Sequence, residues 1–296
     1  MHNNNGVIIR KQITTVFRGA ESYDGAGVKL HRVFGGQGSA HVTDPFLLLD
    51  NFGSKRREDY EKGFPWHPHR GIETVTYVLE GKVKHRDSTG VSGTIGSGEL
   101  QWMTAGSGIF HEEMPQVEPE GNSGLQLWVN LPMASKMQKP KYRAIGKNNA
   151  PEIELQSGSK VRLIAGRIGS VEGPVADLSD PVEYYHIKLH DGSLFEHAVR
   201  PGRTAIVYVL KGSIRSGENA ILKAGEAGVY GRNGDSLAFA SAEHGTELLL
   251  LTGKPLNEPV AWYGPIVMNT RDEIVKAYEE LNSNSFIKSE AEVEDL

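Results

Sequence analysis

An all-β fold is predicted for this chain by three observations. Glycine is abundant, at 35 of 296 residues, and it recurs between short segments rich in Val, Ile, Leu, Thr, Tyr and Trp. Those segments have strand length and strand composition, and only one stretch near the C-terminus carries a full helix signature. Glycine-bearing junctions of the Gly-Lys, Gly-Ser and Gly-Glu type suit the positive φ that hairpin turns demand. Short strands at such spacing belong to a β-sandwich or barrel.

The elements follow in order. Thr74 to Leu79 and Leu125 to Leu131 read as strands of the first half, and Tyr184 to Leu189 and Ala205 to Leu210 as strands of the second. The apolar run Leu248 to Leu251 has the length of a buried core strand. Near the end, Thr270-Arg271-Asp272-Glu273 has the capping-box form, and Ile274, Tyr278 and Leu281 follow at helical spacing, so an amphipathic helix is expected over about 270–281. Beyond it, Asn282 to Ser285 and the acidic stretch Glu290 to Leu296 read as a frayed tail.

The two halves repeat each other. Thr74-Val75-Thr76-Tyr77-Val78-Leu79-Glu80-Gly81 matches Ala205-Ile206-Val207-Tyr208-Val209-Leu210-Lys211-Gly212, and a Gly-Glu turn follows each, at Gly98-Glu99 and at Gly225-Glu226. Two similar β-domains are expected, divided as residues 1–135 and 136–296.

Composition narrows the chemistry. With no cysteine, disulfides, thiolate zinc sites, iron–sulfur clusters and cysteine nucleophiles are excluded, and any metal must be held by nitrogen and oxygen. A formal net charge of −5 and the lack of a basic block argue against direct nucleic-acid binding; Lys55-Arg56-Arg57 is too short and reads as a solvated loop. The polar start Met1 to Gly6 has no apolar signal core, and no apolar run approaches the roughly 18 to 20 residues of a membrane span, so a cytoplasmic protein without membrane contact is the expectation.

Against this background His67-Pro68-His69 and His111-Glu112-Glu113 stand out. In a strand, residues i and i+2 share a face. His67 and His69 therefore point together, and so do His111 and Glu113, while Glu112 turns away. Three imidazoles and a carboxylate suit a divalent first-row metal and leave two positions of an octahedral ion open for substrate, dioxygen or water. The second half is an internal control: Ala198, Arg200 and Ala238 stand where the first half has His67, His69 and His111. Metal binding is thus expected in the N-terminal domain, residues 1–135, and not in the C-terminal one.

The wider text resembles a known family. Gly63, His67-Pro68-His69, Glu73 and Gly81 look like the first cupin motif, and Gly106 to His111 like the second. The stretches Asp44 to Asp50, His67 to Thr74, Leu100 to Gly106, His111 to Pro115, Leu125 to Leu131 and Gly264 to Thr270 resemble the pirin family across nearly the whole chain. The resemblance implies a bicupin, two β-barrels face to face with a C-terminal helix, and an iron(II) site of His67, His69, His111 and Glu113. Manganese, nickel, copper or zinc could fill such a site as well. It also implies a dioxygenase that opens the ring of a flavonol such as quercetin with O2, with Glu113 or Glu73 as the general base. The alternative it implies is a metal- and redox-dependent binding or regulatory protein without turnover.

Glu73 is ambiguous, since cupins generally use the first-motif glutamate as a ligand and pirin-like proteins the later one; Glu113 is the preferred ligand, with Glu73 behind it. His85 and Asp87 form an i,i+2 pair expected to serve in structural hydrogen bonding. Gln101, Met103 and Gln126 are candidate pocket residues, and Trp66 a candidate gate at the pocket mouth.

Overall fold

The computed structural model describes residues 8–218 and 220–296, so the expectation for Met1 to Gly6 lies outside the described residues. The chain divides into two compact units whose bounds differ from a simple cut at residue 135. One unit comprises residues 19–149 and 256–296, the other residues 1–18 and 150–255. Strand pairing is the physical reason. Ile13–Phe17 adds antiparallel to Ala227–Tyr230, which places the N-terminal strand in the sheet of the second unit.

In the first unit an eight-stranded sheet runs in the order Ala20–Asp24, Val28–Gly35, Phe46–Ser54, Asn122–Asn130, Ile72–Glu80, Leu100–Thr104, Lys141–Ile145, Glu292–Asp295. A four-stranded sheet, Phe64–His69, Ile109–Pro115, Lys82–Asp87, Ser92–Gly96, completes the barrel. The second unit repeats this plan. Its seven-stranded sheet centres on Thr204–Lys211, Glu247–Gly253 and Val182–Lys188, and its four-stranded sheet holds Leu194–Ala198, Ser236–Ser241, Ser213–Ser216 and Ala220–Lys223. Each segment read as a strand from sequence overlaps one, with Leu131 and Leu189 just past the strand ends, and Leu248 to Leu251 are fully buried.

The two barrel interiors differ in chemistry. In the second unit, Val161, Tyr185, Ile187, Phe195, Val207, Leu237, Phe239 and Leu250 fill the space between the sheets as an apolar core. In the first, the corresponding space is edged by polar groups that are buried all the same, among them His69, Thr76, His85, Asp87, Gln101, His111 and Glu113. Burying groups of this kind costs free energy unless each finds a partner.

Helix is sparse. The C-terminal helix spans Arg271–Asn282 with Thr270 as N-cap and both hydrogen bonds of the capping box to Glu273. Ile274 and Ala277 are buried with Ile266, Met268 and Phe286. A second helix, Gln37–Thr43, has no sequence expectation behind it: Gly38 lies within it, and Gly36 caps it without a side-chain bond. The acidic tail also departs from expectation. Glu292–Asp295 pairs in parallel with Lys141–Ile145, and Lys141 Nζ meets Glu294 at 2.6 Å. Backbone pairing plus these charges orders a segment whose composition alone reads as solvated. Among the described residues no helix is long and apolar enough to cross a membrane.

Losing the Thr270 cap should release the Glu273 amide. Thr270→Ala is expected to lower stability by about 1 kcal/mol, read from the urea midpoint, and Thr270→Asp to restore most of it.

Candidate metal centre

His67 and His111 sit directly opposite one another on adjacent antiparallel strands. His69 lies two residues further along the first strand and faces the same way. The alternation is visible in burial: Ile109, His111, Glu113 and Pro115 are buried while Phe110, Glu112 and Met114 are half-buried. A register shift between His111 and Glu113 bends the strand pair at this point without breaking the parity on the other side, where His111 faces Asp87 and Glu113 faces His85. Gly71, with φ +78°, makes the turn that follows His69-Arg70; a Cβ there would stand 2.0 Å from the Val267 carbonyl oxygen.

The three rings converge. Their centroids are 4.5 to 5.0 Å apart, and one nitrogen from each of His67, His69 and His111 falls within 4.8 Å of the others. Outward-facing nitrogens hold the rings in place: His67 Nδ1 lies 2.8 Å from the Pro65 carbonyl and His69 Nδ1 lies 3.1 Å from that of Pro265. With a proton on each Nδ1, both Nε2 lone pairs aim at the common centre, the orientation that metal-bound histidines adopt. Those two Nε2 atoms are 3.0 Å apart. Two nitrogens at about 2.1 Å from one ion and at right angles would be roughly 3.0 Å apart. Both ring nitrogens of His111 are buried and lack any protein partner. An orphaned donor–acceptor pair of this sort, beside two aligned imidazoles, fits a cation site.

Burial shapes the protonation of the group. His67 is held below the ordinary imidazole range by desolvation, and His69 and His111 are driven well below it by desolvation and by one another. All three are therefore neutral and competent as ligands at neutral pH. The Glu113 carboxyl moves the other way, pushed up to about 7 by complete burial, with the hydrogen bond from Thr76 opposing. Thr76 Oγ1 donates to Glu113 Oε1 at 2.5 Å and also lies 2.8 Å from Gln126 Oε1. Glu113 is not within the 4.8 Å group of the histidines; it lines the same cavity as His67 and His69.

Glu73 stands elsewhere. Along the regular strand Ile72–Glu80 it shares a face with Val75 and Tyr77, whereas Thr76, which touches Glu113, belongs to the opposite face. Its carboxylate accepts from Thr104 Oγ1 at 2.7 Å and from Trp102 Nε1 at 3.2 Å. The expected catalytic or supporting role of Glu73 at the metal is therefore corrected to an outer structural one. Glu112 points away from the cavity and pairs with Arg86 at 2.6 Å. His85 serves structurally as expected, with Nε2 at 2.7 Å from Tyr142 Oη, and Asp87 Oδ1 binds the Thr89 and Val91 amides. Trp66 is no gate. It stacks on Phe110 outside the cavity and lies beneath Arg86. Met103 belongs to an apolar cluster with Ile72 and Ile109, Gln101 is buried outside the cavity lining, and Gln126 lines the cavity.

The cavity measures about 580 Å³ and opens onto His67, His69 and Glu113. Trp128 meets His69 edge-on at 5.1 Å and Trp262 at 5.7 Å, and together with Leu48, Phe52 and Phe64 they give the cavity aromatic and apolar walls. A pocket of this size with flat apolar sides and a polar end suits a planar aromatic of drug size. Several of these residues escaped the sequence reading. Trp262 and Pro265 reach the site from the C-terminal segment, far from either histidine motif, and only Trp128 carried a local signal, as the i+2 neighbour of Gln126.

Strand order and two sheets per barrel define a bicupin, and among the described residues the three histidines of the first barrel form a group that could hold a metal ion. The chain belongs to the pirin family: it matches the profile Pirin over residues 27–129 and the profile Pirin C-terminal cupin domain over residues 184–287. It is 38% identical to a pirin-like protein of Caulobacter vibrioides over 93% of this chain and 99% of that one. A Thermoplasma acidophilum protein provisionally named a quercetin 2,3-dioxygenase is 42% identical over 80% of this chain and 97% of its own length. Among solved structures, quercetin 2,3-dioxygenase from Acinetobacter baumannii superposes with a TM-score of 0.86 at 36% identity, covering 94% of this chain and 99% of that one.

The raised Glu113 carboxyl has a measurable consequence in the metal-free protein. Stability from the neutral carboxyl is fully present below the ordinary value of 4.5 and is lost as pH rises through about 7. Between pH 4.5 and 8 the native chain should lose roughly 3 kcal/mol relative to Glu113→Gln, as read from urea unfolding of both proteins at each pH.

Proposed function

We propose that His67, His69 and His111, completed by Glu113, hold a divalent first-row metal, iron(II) in the first instance, and that the pocket opens the ring of a flavonol-type substrate with O2. The observation that carries this reading is the convergence of three neutral imidazoles, one with no other partner, beside a buried carboxyl in an aromatic-walled pocket. The relationship to quercetin 2,3-dioxygenase of Acinetobacter baumannii supports the choice of substrate class.

When bound, such an ion would acidify a coordinated enolic hydroxyl and bring an electron-rich substrate and dioxygen to one place. The chain's own residues supply the rest. Trp128 and Trp262 orient the planar ring against the histidines. Glu113, whose proton affinity burial raises in the metal-free chain, takes the proton of the 3-hydroxyl. Thr76 holds the Glu113 carboxyl in place through its hydrogen bond to Oε1. The apolar walls limit water at the reacting edge. The net reaction consumes one flavonol and one O2 and yields the ring-opened ester and carbon monoxide.

Protein reloaded with iron, manganese, nickel or copper should consume quercetin and oxygen in equal amounts under an oxygen electrode. A protein that retained its metal and consumed neither would defeat the proposal. In the same assay His67→Ala should lose bound metal by elemental analysis together with turnover. Glu112→Ala should keep both, within about twofold, because Glu112 faces Arg86 rather than the cavity.

A further inference from the structure

The floor of the cavity carries a polar row that neither the metal ligands nor the proposed base accounts for. Arg32 pairs with Asp50 across adjacent strands, Asp50 with Gln126 on the next, and Gln126 with Thr76 on the next after that. Since paired residues of a sheet share a face, these four side chains form one line running toward Glu113. Two residues to one side lie Leu30 and Phe52, and two to the other lie Leu48 and Trp128, so the row is a polar track between apolar banks.

The far end of the track is charged. Arg32 Nε and Nη2 reach Asp50 Oδ1 and Oδ2 at 2.9 and 2.8 Å, and Nη2 also reaches Asp24 Oδ2 at 2.7 Å. All three residues line the cavity. Burial pushes the Asp50 carboxyl up from its ordinary value, and the two-point contact from Arg32 opposes that rise. One guanidinium faces two acidic groups, so the cluster carries a formal charge of −1. Asp24, its side chain 53% exposed, presents that charge to whatever occupies the cavity. Carboxylate oxygens still hold free lone pairs, and Nη1 of Arg32 still has N–H groups to give. A hydroxyl, which donates and accepts, satisfies such an end. A carboxylate on the ligand would only accept and would meet like charge.

We propose that Asp24, Arg32 and Asp50 are the specificity-determining residues of this pocket, selecting aromatic ligands whose outer ring carries hydroxyl donors and excluding those that carry a carboxylate there. The inference rests on the pocket being the substrate site, but not on the reaction. Its test is accordingly a binding measurement. Metal-loaded protein under anaerobic conditions is titrated with quercetin and with the analogue bearing a carboxylate in place of the 4′-hydroxyl, by calorimetry and by quenching of tryptophan fluorescence.

Quercetin should bind the native protein about tenfold or more tightly than the carboxylate analogue. Asp24→Asn should tighten the analogue about tenfold and narrow the gap, and added salt should narrow it in the native protein alone. Half-exposed Asp24 makes this variant safe for folding, which a thermal melt verifies. Equal affinity for the two ligands in the native protein, an analogue affinity unmoved by Asp24→Asn, or failure of quercetin to bind would overturn the assignment. Selective binding without oxygen uptake would leave it standing and overturn the dioxygenase reading instead.

Discussion

Polar groups buried inside a β-barrel must be satisfied from within, and that constraint organises the first unit of this protein. His67 and His111 face each other across one strand pair and His69 joins them from the same face, with His69 and His111 buried and His67 half-buried at the cavity. Carbonyls of Pro65 and Pro265 satisfy the outer nitrogens of His67 and His69. His111 has no protein partner at either ring nitrogen. Those unpartnered nitrogens are what suit this interior to a cation, and burial is what raises the proton affinity of Glu113.

Keeping this interior in register requires support from outside it. Arg70, the residue after His69, is buried; its guanidinium donates to the carbonyls of Ser107 and Phe286 at 2.7 and 2.8 Å and meets Glu280 at 2.8 Å. It thereby ties the strand of His69 to the loop that leads into His111 and to the C-terminal helix. Lys136 acts in a similar way, with Nζ bound to Gly71 O, Asn130 Oδ1 and Val267 O. Glu73 belongs with this scaffold. It anchors Trp102 and Thr104 on the outer side of the sheet while Thr76, on the inner side, holds Glu113. Removing one partner of such a buried charged contact is costly because the other is left unpaired.

The second unit shows what the same architecture becomes when the demand is absent. Phe195, Leu237 and Phe239 contribute to its apolar core, while Ala198 and Arg200 are exposed and Ala238 is half-buried. Among the described residues the three-histidine group lies in the first unit, while the sheet of the second incorporates the N-terminal strand Ile13–Phe17 by pairing.

Much of this was legible in the residues themselves. Strand segments, the two-fold repeat, the capped helix and the inward parity of His67, His69, His111 and Glu113 all follow from local periodicities, of two in a strand and 3.6 in a helix, which the chain carries without reference to distant contacts. Glu73 was not decidable that way, because the turn at Arg70-Gly71 interrupts the parity count from His69. Nor were the unit boundaries, the strand at Glu292–Asp295, or the contributions of Trp262 and Pro265, since each depends on pairing or packing between segments far apart in sequence. By itself the sequence determined which side chains could bind a metal and which face they would share. Only the tertiary structure decided which of them meet, what walls the cavity around them, and that Asp24, Arg32 and Asp50 stand at its other end, because desolvation and cross-strand register are properties of the assembled barrel.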